Sequence, residues 1–305
     1  MAREIMQNYN KLVEAVAAMP EVLSIGKSGG EALPVAGESD IDLFVFCDAI
    51  PDIEKRRVVA ERLGACVTDL RVSDSSGKYW GMCDFVCLGQ TEVCLMYYTV
   101  AWMNAEIESV LSGARPDKED SYFYPTGRCA TLLTMHILCD KQGAIAAMRQ
   151  RLHPYPKSLA TRLIHYHLGR LSDVEDLERA VSRKDALFYH FALDLSLDHF
   201  LQALFACNRC YFPSRKRTLS FIETFAQKPV RCAERLLGVV SQGANGETVS
   251  RSYEEFASLC RELNAICETN RKEPWRRDGS SGEINLSDEM GDDRQRLDDS
   301  RGNGE

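Results

Sequence analysis

The chain has 305 residues, of which 45% are hydrophobic, 27% charged and 9% aromatic, and its formal net charge is −8. That balance excludes collagenous, coiled-coil and wholly disordered chains, and the length suffices for about two domains with separate cores. The acidic surplus argues against a broad basic face for nucleic acid while leaving room for a local basic groove, so a small, already charged substrate fits better.

The N-terminal stretch is polar and helical in pattern, with Ile5, Tyr9, Leu12, Val13 and Val16 at helical spacing and Pro20 closing the helix. It carries no secretory signal, and no apolar run reaches the roughly 18 to 20 residues of a bilayer span, so a cytoplasmic chain without a membrane is expected. Twelve cysteines then read as thiols in a reducing compartment. The tightest pairs, Cys207-x-x-Cys210 and Cys83-x-x-x-Cys87, lack the second pair that a structural zinc needs.

Val22 to Ile25 predicts a strand ending at Gly26. Ile41 to Phe46 is apolar on both faces, which predicts a strand central in its sheet. Pro51 opens a helix through Leu63. Strands from Asp84 to Leu88 and from Glu92 to Tyr98 flank a hairpin turn at Gly89-Gln90. From about Val100 onward the pattern is helical, punctuated by Pro116, Pro125, Pro154, Pro156, Pro213 and Pro229. One long segment carries Leu187, Phe191, Leu195, Leu201 and Leu204 as an apolar face. Beyond residue 270, ten acidic and seven basic residues, five glycines and few large apolar groups predict a disordered tail.

The most informative stretch is Ser24-Ile25-Gly26-Lys27-Ser28-Gly29-Gly30, followed ten residues later by Asp40-Ile41-Asp42. Alternate residues of a strand share a face, so Asp40 and Asp42 project together, about 6 to 7 Å apart at Cα. Two carboxylates held so close suit a hard divalent cation bound through oxygen. A glycine-rich turn offers unobstructed backbone N–H groups to phosphate oxygens, with the Ser28 hydroxyl as a further donor. Glu92, opening the last strand, completes a three-carboxylate set if that strand lies beside the first. Asp84 competes with it for the third position.

These residues resemble the polymerase-beta-type nucleotidyltransferase superfamily, in particular its small antibiotic-modifying and uncharacterised members, over roughly residues 20 to 105. The resemblance implies an α+β chain. Residues 1–110 would form a small mixed-sheet nucleotidyltransferase domain and 111–270 an all-α domain, followed by the tail at 271–305. It implies that Ser28 and Gly29 bind a triphosphate, that Asp40, Asp42 and Glu92 hold magnesium, two ions in all, and that Glu92 alternatively serves as general base. The family usually has Gly directly before that Ser. Here Lys27 stands there, which leaves the loop's backbone donors open.

A fainter similarity covers Leu201 to Arg217, with Asn208, Tyr211-Phe212-Pro213 and Lys216. Arg209, Arg215, Lys216 and Arg217 are a local positive cluster, read either as a neutraliser of triphosphate or as a solvated loop, and Lys216 is the chosen nucleotide ligand on the resemblance. The histidines at 165 and 167 read as partly buried polar groups. The implied activity is transfer of a nucleoside monophosphate from an NTP, ATP favoured, to a hydroxyl or amine, with release of pyrophosphate. A small-molecule acceptor is favoured over RNA or protein. The alternative is a catalytically inactive nucleotide-binding or protein-interaction module of the same fold.

Overall fold

The computed structural model describes residues 2–29, 40–73, 79–120 and 123–272. Gly30 and the expected tail beyond Lys272 lie outside them. The chain forms two compact units. One holds Met1–Ala105 and Thr131–Arg151, the other Glu106–Ala130 and Leu152–Asp278. Residues 131–151 thus belong with the first hundred residues rather than with the helices that follow them in sequence.

The elements of the first part are, in order, α1 (Ala2–Ala17), β1 (Val22–Lys27), β2 (Ile41–Cys47), α2 (Ile53–Glu61), β3 (Val67–Val72), β4 (Met82–Leu88), β5 (Thr91–Thr99), α3 (Val100–Ser112), α4 (Thr126–Thr134), β6 (His136–Asp140) and α5 (Ala144–Leu152). The described residues form a six-stranded mixed sheet in the order β3-β4-β5-β2-β1-β6. β2 and β5 pair in parallel at its centre, and every other neighbouring pair is antiparallel. The expected strands and the turn at Gly89-Gln90 are present, with β2 central. β3 and β6 are additions, and β6 interrupts a stretch whose pattern reads as helical.

Strand register sorts the side chains by face. Ile41, Leu43 and Val45 of β2 and Val93, Leu95 and Tyr97 of β5 face a core shared with Tyr9, Leu12 and Val16 of α1 and Ala60 of α2. The i, i+3, i+7 spacing of those α1 residues makes one buried stripe, and each buried aliphatic of this kind contributes about 1.5–3 kcal/mol. Asp42, Phe44 and Phe46, with Cys94, Met96 and Tyr98, occupy the opposite face. There Phe44 and Tyr98 stack at 6.1 Å, and Tyr98 stacks on Trp102 at 5.4 Å. Gly26 leaves room on this face for Met135, since a Cβ there would lie 2.1 Å from the Met135 sulphur and that side chain would have to move.

Asp84 points to the α1 and α2 side and is buried. Arg56 Nη1 of α2 donates to its carboxylate at 2.5 Å, and Arg56 also donates to the carbonyls of Pro51 and Ser73 and lies over the Tyr97 ring. Burial raises the Asp84 pKa even with the arginine beside it. A buried pair of this kind is costly to break by halves.

The second unit is helical: α6 (Lys157–Leu171), α7 (Glu175–Arg183), α8 (Ala186–Cys207), α9 (Thr218–Thr224), α10 (Cys232–Gln242) and α11 (Val249–Lys272). Asp185 caps α8 by accepting the Phe188 N–H. The expected apolar face of α8 holds only in its second half. Leu201 and Leu204 are buried, whereas Leu187, Phe191 and Leu195 are exposed and Tyr189, Ala192 and Leu193 face the core instead. The sequence of α8 is apolar nearly all round, so spacing alone does not choose a side. Phe205 packs edge-on against Phe212 and Phe225 at the C-terminal end of α8. No described helix is long and apolar enough to cross a membrane.

Arg56→Met is expected to lower unfolding free energy by about 3–5 kcal/mol in urea, because Asp84 is left buried without its partner. Adding Asp84→Leu to that variant should recover part of the loss; an additive double variant would contradict a coupled pair.

Candidate functional site

One end of the sheet in the first unit gathers most of the residues singled out by sequence. β1 runs out at Lys27 into Ser28 and Gly29, and the Ser28 N–H donates to the Asp42 carbonyl at 2.9 Å. This bond closes the glycine turn against the start of β2. It also commits the Ser28 backbone donor, which is therefore not available to a ligand. Gly29 has φ +78, a left-handed conformation that favours glycine.

Lys27 does not obstruct this turn. Its register partner is Leu43, so its side chain lies on the core side of the sheet, where it is buried and burial lowers its pKa. Its ammonium is 3.4 Å from the Ser28 carbonyl.

Asp40 is exposed just before β2, and Asp42 is half-buried within it. Because β2 and β5 are parallel, Asp42 stands beside Cys94, and the register continued by one residue sets Asp40 beside Glu92. The Cys94 thiol reports on this face. Its pKa is raised by a hydrogen bond with Cys83, by burial, and by the negative charges of Asp42 and Asp40. Ser28, Gly29, Asp40, Asp42 and Glu92 therefore share one end of the sheet, and the three acids share its face. Asp84, on the other face and bound by Arg56, is not part of this group.

The third carboxylate is already engaged. Arg71 of the edge strand β3 ion-pairs with Glu92 Oε2 and lies 3.4 Å from Asp69, with its guanidinium 4.6 Å from the centre of the Phe85 ring. Among the described residues, no three His, Cys, Asp or Glu side chains converge closely enough to grip a metal ion as they stand. Asp40 and Asp42, with the Ser28 hydroxyl, match the hard oxygen donors that magnesium accepts. Glu92 joins them only if Arg71 lets it go. Neither Arg71 nor its pairing stood out in the sequence; the available signal was the alternation of Asp69 and Arg71 on a strand that reads as polar.

Lys216 belongs to the second unit, exposed between α8 and α9, and its backbone N–H donates to Ser214 Oγ at 3.2 Å. Its neighbour Arg215 is held internally. Arg215 Nε donates to Asp198 Oδ1 at 2.6 Å and Nη1 to Asp194 Oδ1 at 2.6 Å. Asp198 is buried and also receives Lys118 Nζ at 3.2 Å and a hydrogen bond from Tyr124. Asn208 bridges the Leu204 and Gln227 carbonyls and accepts the Gln227 N–H, and Tyr211 donates to the Leu152 carbonyl. The motif around residues 201–217 thus works largely as a brace within its own unit.

Beside Asp198, His167 of α6 and His199 of α8 meet Nδ1 to Nδ1 at 2.9 Å. His167 is fully buried, and its Nε2 has no hydrogen-bond partner among the described residues. Burial, His199 and Arg170 push its pKa down to about 3, and burial lowers that of His199 as well, against the pull of Asp198 and Asp117. Contact between the two rings requires that at most one nitrogen of the pair carries the proton they share.

Residues 124–217 match the model of a family described as a domain of unknown function, DUF4037. No curated protein matches the chain. Among solved structures, a nucleotidyltransferase-like protein from Exiguobacterium sibiricum 255-15 is similar at 11% identity, over 87% of this chain and 74% of that one, with a TM-score of 0.43.

Both histidines have folded-state pKa values below the unfolded value of about 6.5, so their contribution is present above that pH and is lost as pH falls below it, for His167 down to about 3. From pH 8 to pH 5, His167 alone should remove about 2 kcal/mol of unfolding free energy, at about 1.36 kcal/mol per unit. Urea unfolding of wild type and His167→Gln at both values checks this: the drop should be smaller in the variant, and equal drops would contradict it.

Proposed function

We propose that the sheet end of the first unit binds a nucleoside triphosphate, ATP favoured, and transfers its nucleoside monophosphate to a hydroxyl or amine with release of pyrophosphate. The observation that carries this reading is the Ser28 N–H bond to the Asp42 carbonyl, which ties a phosphate-cradling glycine turn directly to the paired acids. In this reading the Gly29 N–H and the Ser28 hydroxyl take phosphate oxygens. Asp40 and Asp42 would hold magnesium, with Glu92 joining from β5. A bound divalent ion supplies charge stabilisation at phosphorus and lowers the pKa of the attacking group. Glu92, when it is not a ligand, would accept the proton from the acceptor. Lys216 enters through the resemblance alone, as a partner for the triphosphate. The net charge of −8 supports a small-molecule acceptor over RNA.

A second reading has one observation in its favour. With Glu92 held by Arg71, the three acids are not assembled as ligands, which suits a module that binds nucleotide without turning it over.

Pyrophosphate release with each NTP, Mg²⁺ and mixed pools of small hydroxyl and amine acceptors separates the two. The active enzyme should release pyrophosphate, and Asp42→Asn should reduce the rate at least about a hundredfold, or about 2.7 kcal/mol in barrier. NTP binding without release in any pool would favour the second reading, and undiminished release by Asp42→Asn would remove Asp42 from the site.

A further inference from the structure

Glu92 of the acid face is ion-paired with a protein cation, Arg71. Arg71 reaches it from β3 across β4, on the same face of the sheet, because Arg71 is the register partner of Phe85 and Phe85 that of Cys94. The guanidinium also lies 3.4 Å from Asp69 and over the Phe85 ring, so its position does not depend on Glu92 alone. Yet 56% of the Arg71 side chain and 35% of the Glu92 side chain remain exposed, which makes this a weak, exchangeable ion pair rather than a buried structural one. An ion arriving at Asp40 and Asp42 and the Arg71 guanidinium compete for the same carboxylate, and they repel each other.

We propose that Arg71 is a positioning residue that stands in for the divalent cation, holding Glu92 on the acid face in the metal-free protein and yielding it when an ion binds at Asp40 and Asp42. This rests on the reading of the sheet end as a divalent-cation site. It extends that reading by making ion affinity a competition set by an arginine on the edge strand. Arg71 does not touch the reacting atoms; it acts through Glu92. Anchoring on Phe85 and Asp69 keeps the guanidinium at hand, so that Glu92 returns to it when the ion leaves.

Titration of Mn²⁺ into the full chain, without nucleotide, tests the proposal by calorimetry or by electron paramagnetic resonance of the free ion. Arg71→Gln should bind Mn²⁺ about three- to tenfold more tightly than wild type, the scale of losing a partly exposed ion pair and its charge. Arg71→Lys keeps the charge and should stay within about twofold of wild type. In a Glu92→Gln background, Arg71→Gln should lose most of its gain, because the contested carboxylate is absent. Wild type and Arg71→Gln binding with equal affinity, while Asp42→Asn abolishes binding, would overturn the role of Arg71 and leave the metal site standing. No Mn²⁺ binding by wild type or Arg71→Gln would overturn both.

Discussion

The parallel pairing of β2 with β5 is the constraint on which the site depends. Parallel strands begin at the same end of a sheet, so Asp40 and Asp42 at the start of β2 and Glu92 at the start of β5 come together only because this pair is parallel. An antiparallel pair would have sent Glu92 to the far end. The last link is the Ser28 N–H bond to the Asp42 carbonyl, which brings the exit of β1 to that end as well. The glycine turn and the three acids are therefore a consequence of strand order and direction.

Charge pairing decides what these residues are available to do. The chain is acidic overall, and in the described residues several of its cations are tied to its own carboxylates: Arg56 to Asp84, Arg71 to Glu92, Arg215 to Asp194 and Asp198, Arg128 to Glu106 and Glu119. The buried Arg56–Asp84 pair would leave an uncompensated charge if halved, whereas Asp198 is shared between Arg215 and Lys118. The Arg71 pair is different in kind. It is exposed enough to exchange, and it sits where ligand chemistry would compete for it.

Much of the sheet was readable from sequence because its strands are apolar runs beside clear punctuation: β1 follows Pro20, β2 is a nearly unbroken apolar run, and β4 and β5 flank Gly89-Gln90. The two edge strands were not. Val67 to Val72 interleaves Thr68, Asp69 and Arg71 with its apolar residues, and His136 to Asp140 is five residues long, half-buried throughout and joined closely to helices on either side. The local pattern of an edge strand is weak because only part of it meets the core. Ser28, Gly29, Asp40, Asp42 and Glu92 were singled out in the sequence, and strand pairing brings them to one end of the sheet. The sequence favoured Glu92 over Asp84, but both open strands there, and only the register shows which face each occupies. Arg71 with Glu92, 21 residues apart, and His167 with His199, 32 apart, are contacts that no spacing rule reaches. The basic run at 215–217 read as a positive patch because sequence does not show that Arg215 is bound to two aspartates.

The account stands or falls on whether an NTP and a divalent ion meet at the Gly29 and Asp42 end of the sheet. A crystal structure with Mn²⁺ and a non-hydrolysable ATP analogue, with anomalous data, addresses this most directly. An anomalous peak bonded to the Asp40 and Asp42 carboxylates at about 2.0–2.2 Å, with a phosphate oxygen on the Gly29 N–H, is the predicted result. Ion and nucleotide bound elsewhere on the chain, with the Asp40 and Asp42 carboxylates making no contact to either, would contradict it.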